Sequence, residues 1–377
     1  KREGGWSRDA VAVTEQRAFH GAAGMRVLEL GERLGVAAAG LALAALGAEV
    51  AQVRLPARRL TAEDATYYDR GRIVIDDGDD VAAVARAADV VLTDLDDHDL
   101  DARGVASDLG GLRGGDSPQV LVTIRSLGRT GPHAHFRMTD LTEWAAGGLA
   151  NVTRRPHVDD PERYVPVVPP GCQPQALAGL AAASGAFAGR RSALAERAPV
   201  VVDVSVQEVV AATLHAIFPN FVWNGNVLGH PSTPTTSMGF HLPASDGDVY
   251  VRTVEQHQWD SLVAWAGSPD WSSLGDTPEE RYANRREIVA LLSEWSVSHA
   301  RVELLEEGQR RKVPIALPRS VDDVLAWQHL RARGAWVEVE HRGTTGTVPA
   351  LPVFEPATWS PTRRGTAAET LTRWGAP

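Results

Sequence analysis

Short apolar runs rich in β-branched residues recur along the first part of the chain, each bounded by glycine or acidic residues. Arg26–Leu30 (RVLEL), Glu49–Arg54 (EVAQVR), Arg72–Asp76 (RIVID), Asp89–Thr93 (DVVLT), Val120–Leu127 (VLVTIRSL) and Val200–Val206 read as strands. Helical stretches are expected between them, at Val36–Leu46, at Asp80–Ala88 and in an Ala/Gly-rich segment over about Gln175–Ala188. A basic tip at Arg190–Arg191 is expected to end that last helix, and Glu208–Phe218 is read as a further one. Strands that alternate with helices imply an α/β fold: a mostly parallel sheet with helices on both faces.

The pattern weakens elsewhere. Residues 1–24 are polar and unpatterned, and are read as an arm that orders against a partner surface. Pro156–Gly171 carries five prolines and is expected to be an irregular loop. Pro219–Pro243 mixes Pro, Gly, Ser, Thr and Asn, which reads as a long connection between domains. Nine of the eleven tryptophans lie at or beyond Trp223, so a differently built domain is expected to begin near there. Glu279–Glu294 has helical periodicity, and Gly334–Glu340 and Thr345–Ala350 read as late strands.

Composition narrows the classes. A chain of 377 residues suits two modest domains or one large α/β unit, and 44% hydrophobic with 23% charged residues is ordinary for a globular protein with a core. The net charge of −10 argues against a nucleic-acid partner. A lone cysteine, Cys172, forms no internal disulfide and supplies no zinc site by itself, so a reducing, cytoplasmic setting is expected. The most apolar run, Leu34–Ala48, is shorter than the roughly 20 residues of a membrane span and begins too late for a signal peptide. A buried helix packed closely on a sheet is the better reading, and no membrane partner is expected.

Several candidate sites can be weighed by residue type. The turn Gly31-Glu32-Arg33-Leu34-Gly35 precedes a helix and offers N–H groups to an anion, but it is not G-x-G-x-x-G. Taken alone, the turn is better read as glycine-assisted packing. Asp94, Asp96, Asp97, Asp99 and Asp101 cluster, yet a calcium loop starting at Asp97 would place Ala102 and Asp108 where Gly and Glu are required. A solvated loop is expected there, and His133 with His135 lack a third ligand, so no metal site is expected. The stretch Ser126–Pro132 (SLGRTGP) followed by Asp140-Leu141-Thr142 reads as a strand end, a glycine turn and a helix start. Ligands prefer that edge of a parallel sheet.

These residues, taken in order, resemble the class III CoA-transferases, the family of formyl-CoA transferase, carnitine CoA-transferase and α-methylacyl-CoA racemase. Gly24–Val53 is similar to the family's opening G-x-R-V-L-D-L…L-G-A-E-V-I-K-V-E, and SLGRTGP to its G-F-G-Q-T-G-P. Pro199–Glu208 (PVVVDVSVQE) resembles G-Q-x-V-D-V-S-L-x-E; His230-Pro231-Ser232 and Ala244-Ser245-Asp246-Gly247 match H-P-S and T-A-D-G. Tyr282-Ala283-Asn284-Arg285 and Val313-Pro314-Ile315-Ala316 are similar to R-x-x-N-R and V-P-x-x-P.

The resemblance implies a Rossmann-like large domain built from both chain ends, a smaller middle domain, and two chains interlocked as a dimer. Its boundaries here would be 1–218, a linker at 219–243, a small domain at 244–318, and a return to the large domain over 319–377. It also implies a CoA thioester as substrate, with no tightly bound cofactor. The CoA-binding segment would include Gly35, Arg70, Arg72, Asp94, Gly128 and Arg137.

The chain departs from the family where chemistry is expected. The aspartate that opens the family's D-x-x-x-G helix corresponds to Gln175, and Val165–Arg190 contains no Asp, Glu or His. That aspartate attacks the acyl-CoA thioester to give an acyl-aspartyl anhydride, and a neutral amide cannot replace it. Thr139 stands before Asp140 where the racemases carry histidine, so their acid/base pair is incomplete as well. Thr93-Asp94-Leu95 replaces E-N-F, and Gly35-Val36-Ala37 replaces A-G-P. Three readings follow. The chain is a transferase subunit whose related partner, in a heterodimer, supplies the aspartate. Or it acts alone or as a homodimer with displaced chemistry at Asp140, Glu143 or Cys172, Asp140 being the best of these. Or it is a non-catalytic CoA-binding or interaction protein.

Overall fold

The computed structural model describes residues 21–108, 119–156, 160, 163–167, 170–215, 217–225, 238–351 and 362–376. Most of the expected N-terminal arm, the middle of the Pro219–Pro243 connection, the His230-Pro231-Ser232 motif and parts of the Pro156–Gly171 loop lie outside them. The described residues fall into two compact units, one within 1–229 and 329–377, the other within 230–328.

The first unit starts with β1 (Arg26–Leu30), α1 (Leu34–Ala45), β2 (Glu49–Arg54), α2 (Ala62–Tyr68), β3 (Ile73–Asp76), α3 (Val81–Ala87), β4 (Val90–Thr93), α4 (Asp97–Asp101) and β5 (Val120–Arg125). It continues through α5 (Asp140–Ala146), α6 (Leu149–Val152), the small hairpin β6 (Arg154–Pro156) and β7 (Tyr164–Pro166), the long α7 (Gln173–Glu196), β8 (Val200–Ser205), α8 (Val206–Ala212) and α9 (Ile217–Asn224). The second unit has β9 (Met238–Ala244), β10 (Gly247–Thr253), α10 (Gln256–Trp265), a 3-10 turn at Asp270–Gly275, α11 (Pro278–Ala283), α12 (Arg285–Ser296), α13 (Arg301–Arg311), β11 (Ile315–Ala316) and α14 (Val321–Ala326). After α15 (Gln328–Ala332), the chain adds the hairpin β12 (Trp336–His341) and β13 (Thr344–Pro349), then β14 (Arg363–Arg364) and α16 (Ala367–Arg373), to the first unit.

The main sheet has seven parallel strands in the order β14–β3–β2–β1–β4–β5–β8. Its inner strands are mainly apolar because both faces are covered. Val27, Val90, Leu92, Val120 and Val122 face α1 and α7, while Leu28, Leu30, Val91 and Leu121 pack with α3 and α16. Chain order runs outward in opposite directions from β1 and β4, so the topological switch point lies between these neighbours.

The sheet meets α1 and α7 through small residues. A Cβ on Gly179 would stand 2.6 Å from the Gly35 carbonyl and 2.6 Å from Ala38 Cβ, so the two helices touch at backbone distance. The run Leu34–Ala48 holds the buried helix expected of it, α1, which ends at Ala45, and among the described residues no helix is long and apolar enough to cross a membrane.

The second unit surrounds its own core. An antiparallel sheet β11–β10–β9 and the helices beside it bury Phe240, Leu242, Val251, Trp259, Leu262, Ile288, Leu292 and Leu304. Trp265, Trp271 and Trp295 pack around them.

Several expected boundaries move. The helix read as ending at Ala188 runs to Glu196, with Arg190 and Arg191 inside it. Gly189, which mimics a helix end, is there to clear Val120 and Val202, each 2.9 Å from where its Cβ would lie. Glu208–Phe218 is not one helix: α8 stops at Ala212 and α9 continues past Pro219, tolerated in its first turn. Glu279–Glu294 divides at Asn284, whose side chain donates to the Leu274 carbonyl at 2.7 Å. The acidic stretch around Asp97 is a short helix and not a plain loop, capped by Asp96, which accepts from Asp99 N–H at 2.9 Å.

Candidate functional site

The close approach of α1 and α7 brings Gln175, in the first turn of α7, against the start of α1. Its Oε1 accepts from Gly35 N–H at 3.1 Å, and the side chain is almost wholly buried. Gly35 permits this, because a Cβ there would lie 2.8 Å from Gln175 Oε1. The other end of the amide donates from Nε2 to Glu143 Oε2 at 2.7 Å.

Glu143 is fully buried on α5, and all its acceptor directions are used. Arg33, from the β1–α1 turn, donates in a fork to Oε1 at 2.6 Å and Oε2 at 2.8 Å. Ser126, at the end of β5, donates to Oε1 at 2.6 Å and accepts from Arg33 at 3.1 Å. A buried charge held by a bidentate partner and further donors is the arrangement that low-dielectric surroundings require. Arg33, Ser126 and Glu143 thus close a ring of hydrogen bonds, and Gln175 joins it through Glu143, with no lone pair of Glu143 left over.

Asp140 stands beside this ring at the start of α5. Its Oδ1 receives a long hydrogen bond, 3.5 Å, from the Gln175 backbone N–H. Burial raises its carboxyl above the usual range, and the Glu143 charge adds to this, while the Gln175 N–H and Arg33 oppose it. The Cys172 thiol precedes α7 and is exposed; desolvation, then Asp140, raises its pKa.

Asp94, at the end of β4, turns inward. Its Oδ1 accepts from Glu32 N–H at 2.9 Å and its Oδ2 from Arg33 N–H at 2.8 Å, so the free donors of the β1–α1 turn are held by the protein's own carboxylate. Burial pushes this carboxyl up to about 6, against the two N–H groups that favour its charge. Gly128 takes a left-handed conformation (φ 80°) in the SLGRTGP turn, and the next N–H, of Arg129, donates to Asp203 Oδ2 at 2.8 Å. Asp203 also accepts from Thr123 at 3.0 Å, which explains the aspartate of the V-D-V-S stretch as a brace.

A cleft of about 470 Å³ opens at the C-terminal ends of β1, β4 and β5, the switch point of the sheet. Arg33, Arg59, Asp94, Ser126, His135 and Arg137 are among its walls. Arg137 is exposed there and reaches Asp96 at 3.2 Å. Gly35, Asp94, Gly128, Arg137, Asp140 and Gln175 are therefore gathered at one sheet edge. Arg70 and Arg72 are not. Arg72 is sealed beneath α1, where Nε pairs with Glu29 at 2.8 Å and Nη2 donates to the Ala37 carbonyl at 2.6 Å. Arg70 is buried too, stacked over the Tyr67 ring at 4.2 Å and donating to the Tyr67 carbonyl. Neither is among the residues that line the cleft. Arg33 and Ser126 carry the ring, yet their sequence surroundings gave only a turn and a strand end.

Among the described residues, Asp96, His98 and Asp99 bring ligand atoms together, but on an exposed turn of a kind common without an ion.

The sequence profile of CoA-transferase family III matches residues 76–369. A probable CoA-transferase of Mycobacterium tuberculosis is 26% identical over 231 residues, 59% of this chain and 28% of that protein. A succinate–glutarate CoA-transferase of Agrobacterium fabrum is 24% identical over 347 residues, 84% of each chain. The chain thus spans little more than a quarter of the first relative and most of the second. A CaiB/BaiF family protein from Brucella suis superposes with a TM-score of 0.74 at 20% identity, covering 94% of this chain and 98% of that one. A crystal structure from Mycobacterium tuberculosis gives 0.74 at 20% identity, over 92% and 97% of the two chains.

Proposed function

Since this chain belongs to CoA-transferase family III, we propose that it handles a CoA thioester at the switch-point cleft, as one chain of a transferase whose related partner supplies the carboxylate nucleophile. In that chemistry a carboxylate oxygen attacks the thioester carbonyl carbon and the C–S bond breaks. CoA leaves as thiolate and an acyl–carboxyl anhydride remains on the enzyme. The observation that carries the reading is the bonding of Gln175. An amide stands where the resemblance expects the nucleophile, and the adjacent carboxylate, Glu143, is fully bonded to Arg33, Ser126 and Gln175. The isolated chain therefore has no free carboxylate at that position. Pairing in the interlocked manner would bring the partner's site into the same particle. The cleft between Asp94 and Arg137 supports a place for the CoA moiety.

A second reading rests on Asp140. It is half-buried, burial raises its carboxyl above the usual range, and it lies within hydrogen-bond range of the start of α7. A carboxylate so placed suits attack on a thioester delivered to that helix start, without a partner.

Incubation of the purified chain with acetyl-, succinyl- or glutaryl-CoA, followed by peptide mapping by mass spectrometry, separates the readings. The first expects no covalent adduct on the chain alone, and CoA transfer only after co-expression with an aspartate-bearing relative. An adduct mapped to Asp140 on the isolated chain would replace it with the second reading.

A further inference from the structure

We infer that the pocket between α1, α5 and α7 accommodates one carboxylate, and that Glu143 holds it, so that position 175 must stay neutral. Glu143 would be a positioning residue: it silences the place of the nucleophile by occupying that pocket's single site for negative charge. The inference rests on the proposed function for its chemical meaning, and on geometry alone for its physical one.

The geometry is specific about donors and acceptors. Position 175 must accept from Gly35 N–H on one side and donate to Glu143 on the other, and a glutamine amide does both. A carboxylate of the same shape would keep the Gly35 bond but turn its second oxygen onto Glu143 Oε2, acceptor against acceptor at 2.7 Å. Like charges that close cannot both remain ionised, and one is driven to bind a proton. The charged and titratable groups facing the position are few. Asp140 and Glu143 come from α5, Arg33 from the β1–α1 turn, and Cys172 from the residue before α7. Arg33 is the cation in bonding distance, and its fork is already filled by both Glu143 oxygens. An aspartate at 175, one methylene shorter, would retreat toward Asp140 and meet a second like charge there.

The inference makes the two residues interchangeable as a pair but not singly. Removing the charge at 143 leaves the partly buried Arg33 without its carboxylate. Adding one at 175 leaves two carboxylates for one arginine. Exchanging amide and carboxylate restores one of each, with Gln at 143 able to donate toward 175.

The test is a cycle of thermal unfolding on Gln175→Glu, Glu143→Gln and the combined variant, at pH 5 and pH 8. Gln175→Glu should melt below wild type, with the deficit larger at pH 8. A carboxyl raised above its unfolded value stabilises the fold below that value and loses this as pH rises through the folded one. Glu143→Gln should also melt early, and the combined variant should melt above both. If Gln175→Glu does not fold, a soluble combined variant supports the inference and an insoluble one overturns it. Gln175→Glu melting like wild type at both pH values, or a combined variant no better than the worse single one, would overturn it as well.

A chemical arm uses acetyl-CoA and peptide mapping on Gln175→Asp with and without Glu143→Gln. The expected adduct at position 175 appears in the double variant at several-fold higher occupancy than in Gln175→Asp. Equal occupancy in the two overturns the inference. The expected stability cycle with no adduct in either variant upholds the single-carboxylate pocket and counts against the CoA-thioester reading instead.

Discussion

Asp94 shows how a single side chain can decide what a turn is able to bind. Both its oxygens accept main-chain N–H groups that would otherwise face the cleft, so an approaching anion meets a carboxylate in its place. Its carboxyl is raised to about 6, which means the folded protein holds that proton more tightly than the unfolded chain does. The stabilisation linked to this group is present below the ordinary carboxylate range and is lost as pH rises through about 6. Asp94→Asn should flatten the dependence of unfolding temperature on pH between about 4 and 6, while losing one backbone hydrogen bond, about 1 kcal/mol. Parallel pH profiles for the two proteins would rule this out. Asp94 and Gln175 stood out in the sequence because they interrupt a recognisable motif order. The burial of Arg72 did not, because an arginine in a basic stretch reads alike whether it meets solvent or is sealed under a helix. What seals it, Gly40 across α1, leaves no mark in the residues around position 72.

At the scale of elements, the site exists because α1 and α7 approach each other at glycine. Gly179→Ala would place a methyl group 2.6 Å from the Gly35 carbonyl and from Ala38 Cβ, and neither is the mobile end of a side chain. The helices must then separate, at a cost of roughly 1–3 kcal/mol, drawing Gln175 away from Gly35 N–H. Chemical unfolding should show the loss; a variant as stable as wild type would mean the contact is softer than its geometry. Strands were the most legible elements, since a strand covered on both faces is an unbroken apolar run. Helix ends were the least. Gly189 with Arg190 and Arg191 has the residue types of a terminus, yet Gly189 serves packing on Val120 and Val202, and Arg190 reaches Asp89 at 2.9 Å. Short helices such as α2 depend on local caps, here Thr61 with Asp64, which short windows of polarity hide.

At the scale of the whole molecule, the two units each carry a core. That of the second unit joins residues from Phe240 to Ile315 and draws on no strand of the parallel sheet. A fragment covering 230–328 should therefore unfold cooperatively by tryptophan fluorescence, whereas a gradual, featureless melt would show that its core needs the rest of the chain. The α/β class was legible from alternation alone, but the order of strands was not, because pairing partners distant in sequence leave no local periodicity. The strand β14 is the extreme case: Arg363 and Arg364 pair with Ile73 and Val74. During synthesis, at ~5–20 residues per second, the β3 edge emerges tens of seconds before the strand that covers it. For that interval the nascent chain displays an open parallel edge, the kind of surface on which neighbouring chains assemble wrongly. A ribosome stalled before codon 363 would thus hold a chain with its sheet unfinished, making the β14 segment a requirement for solubility and handling by chaperones.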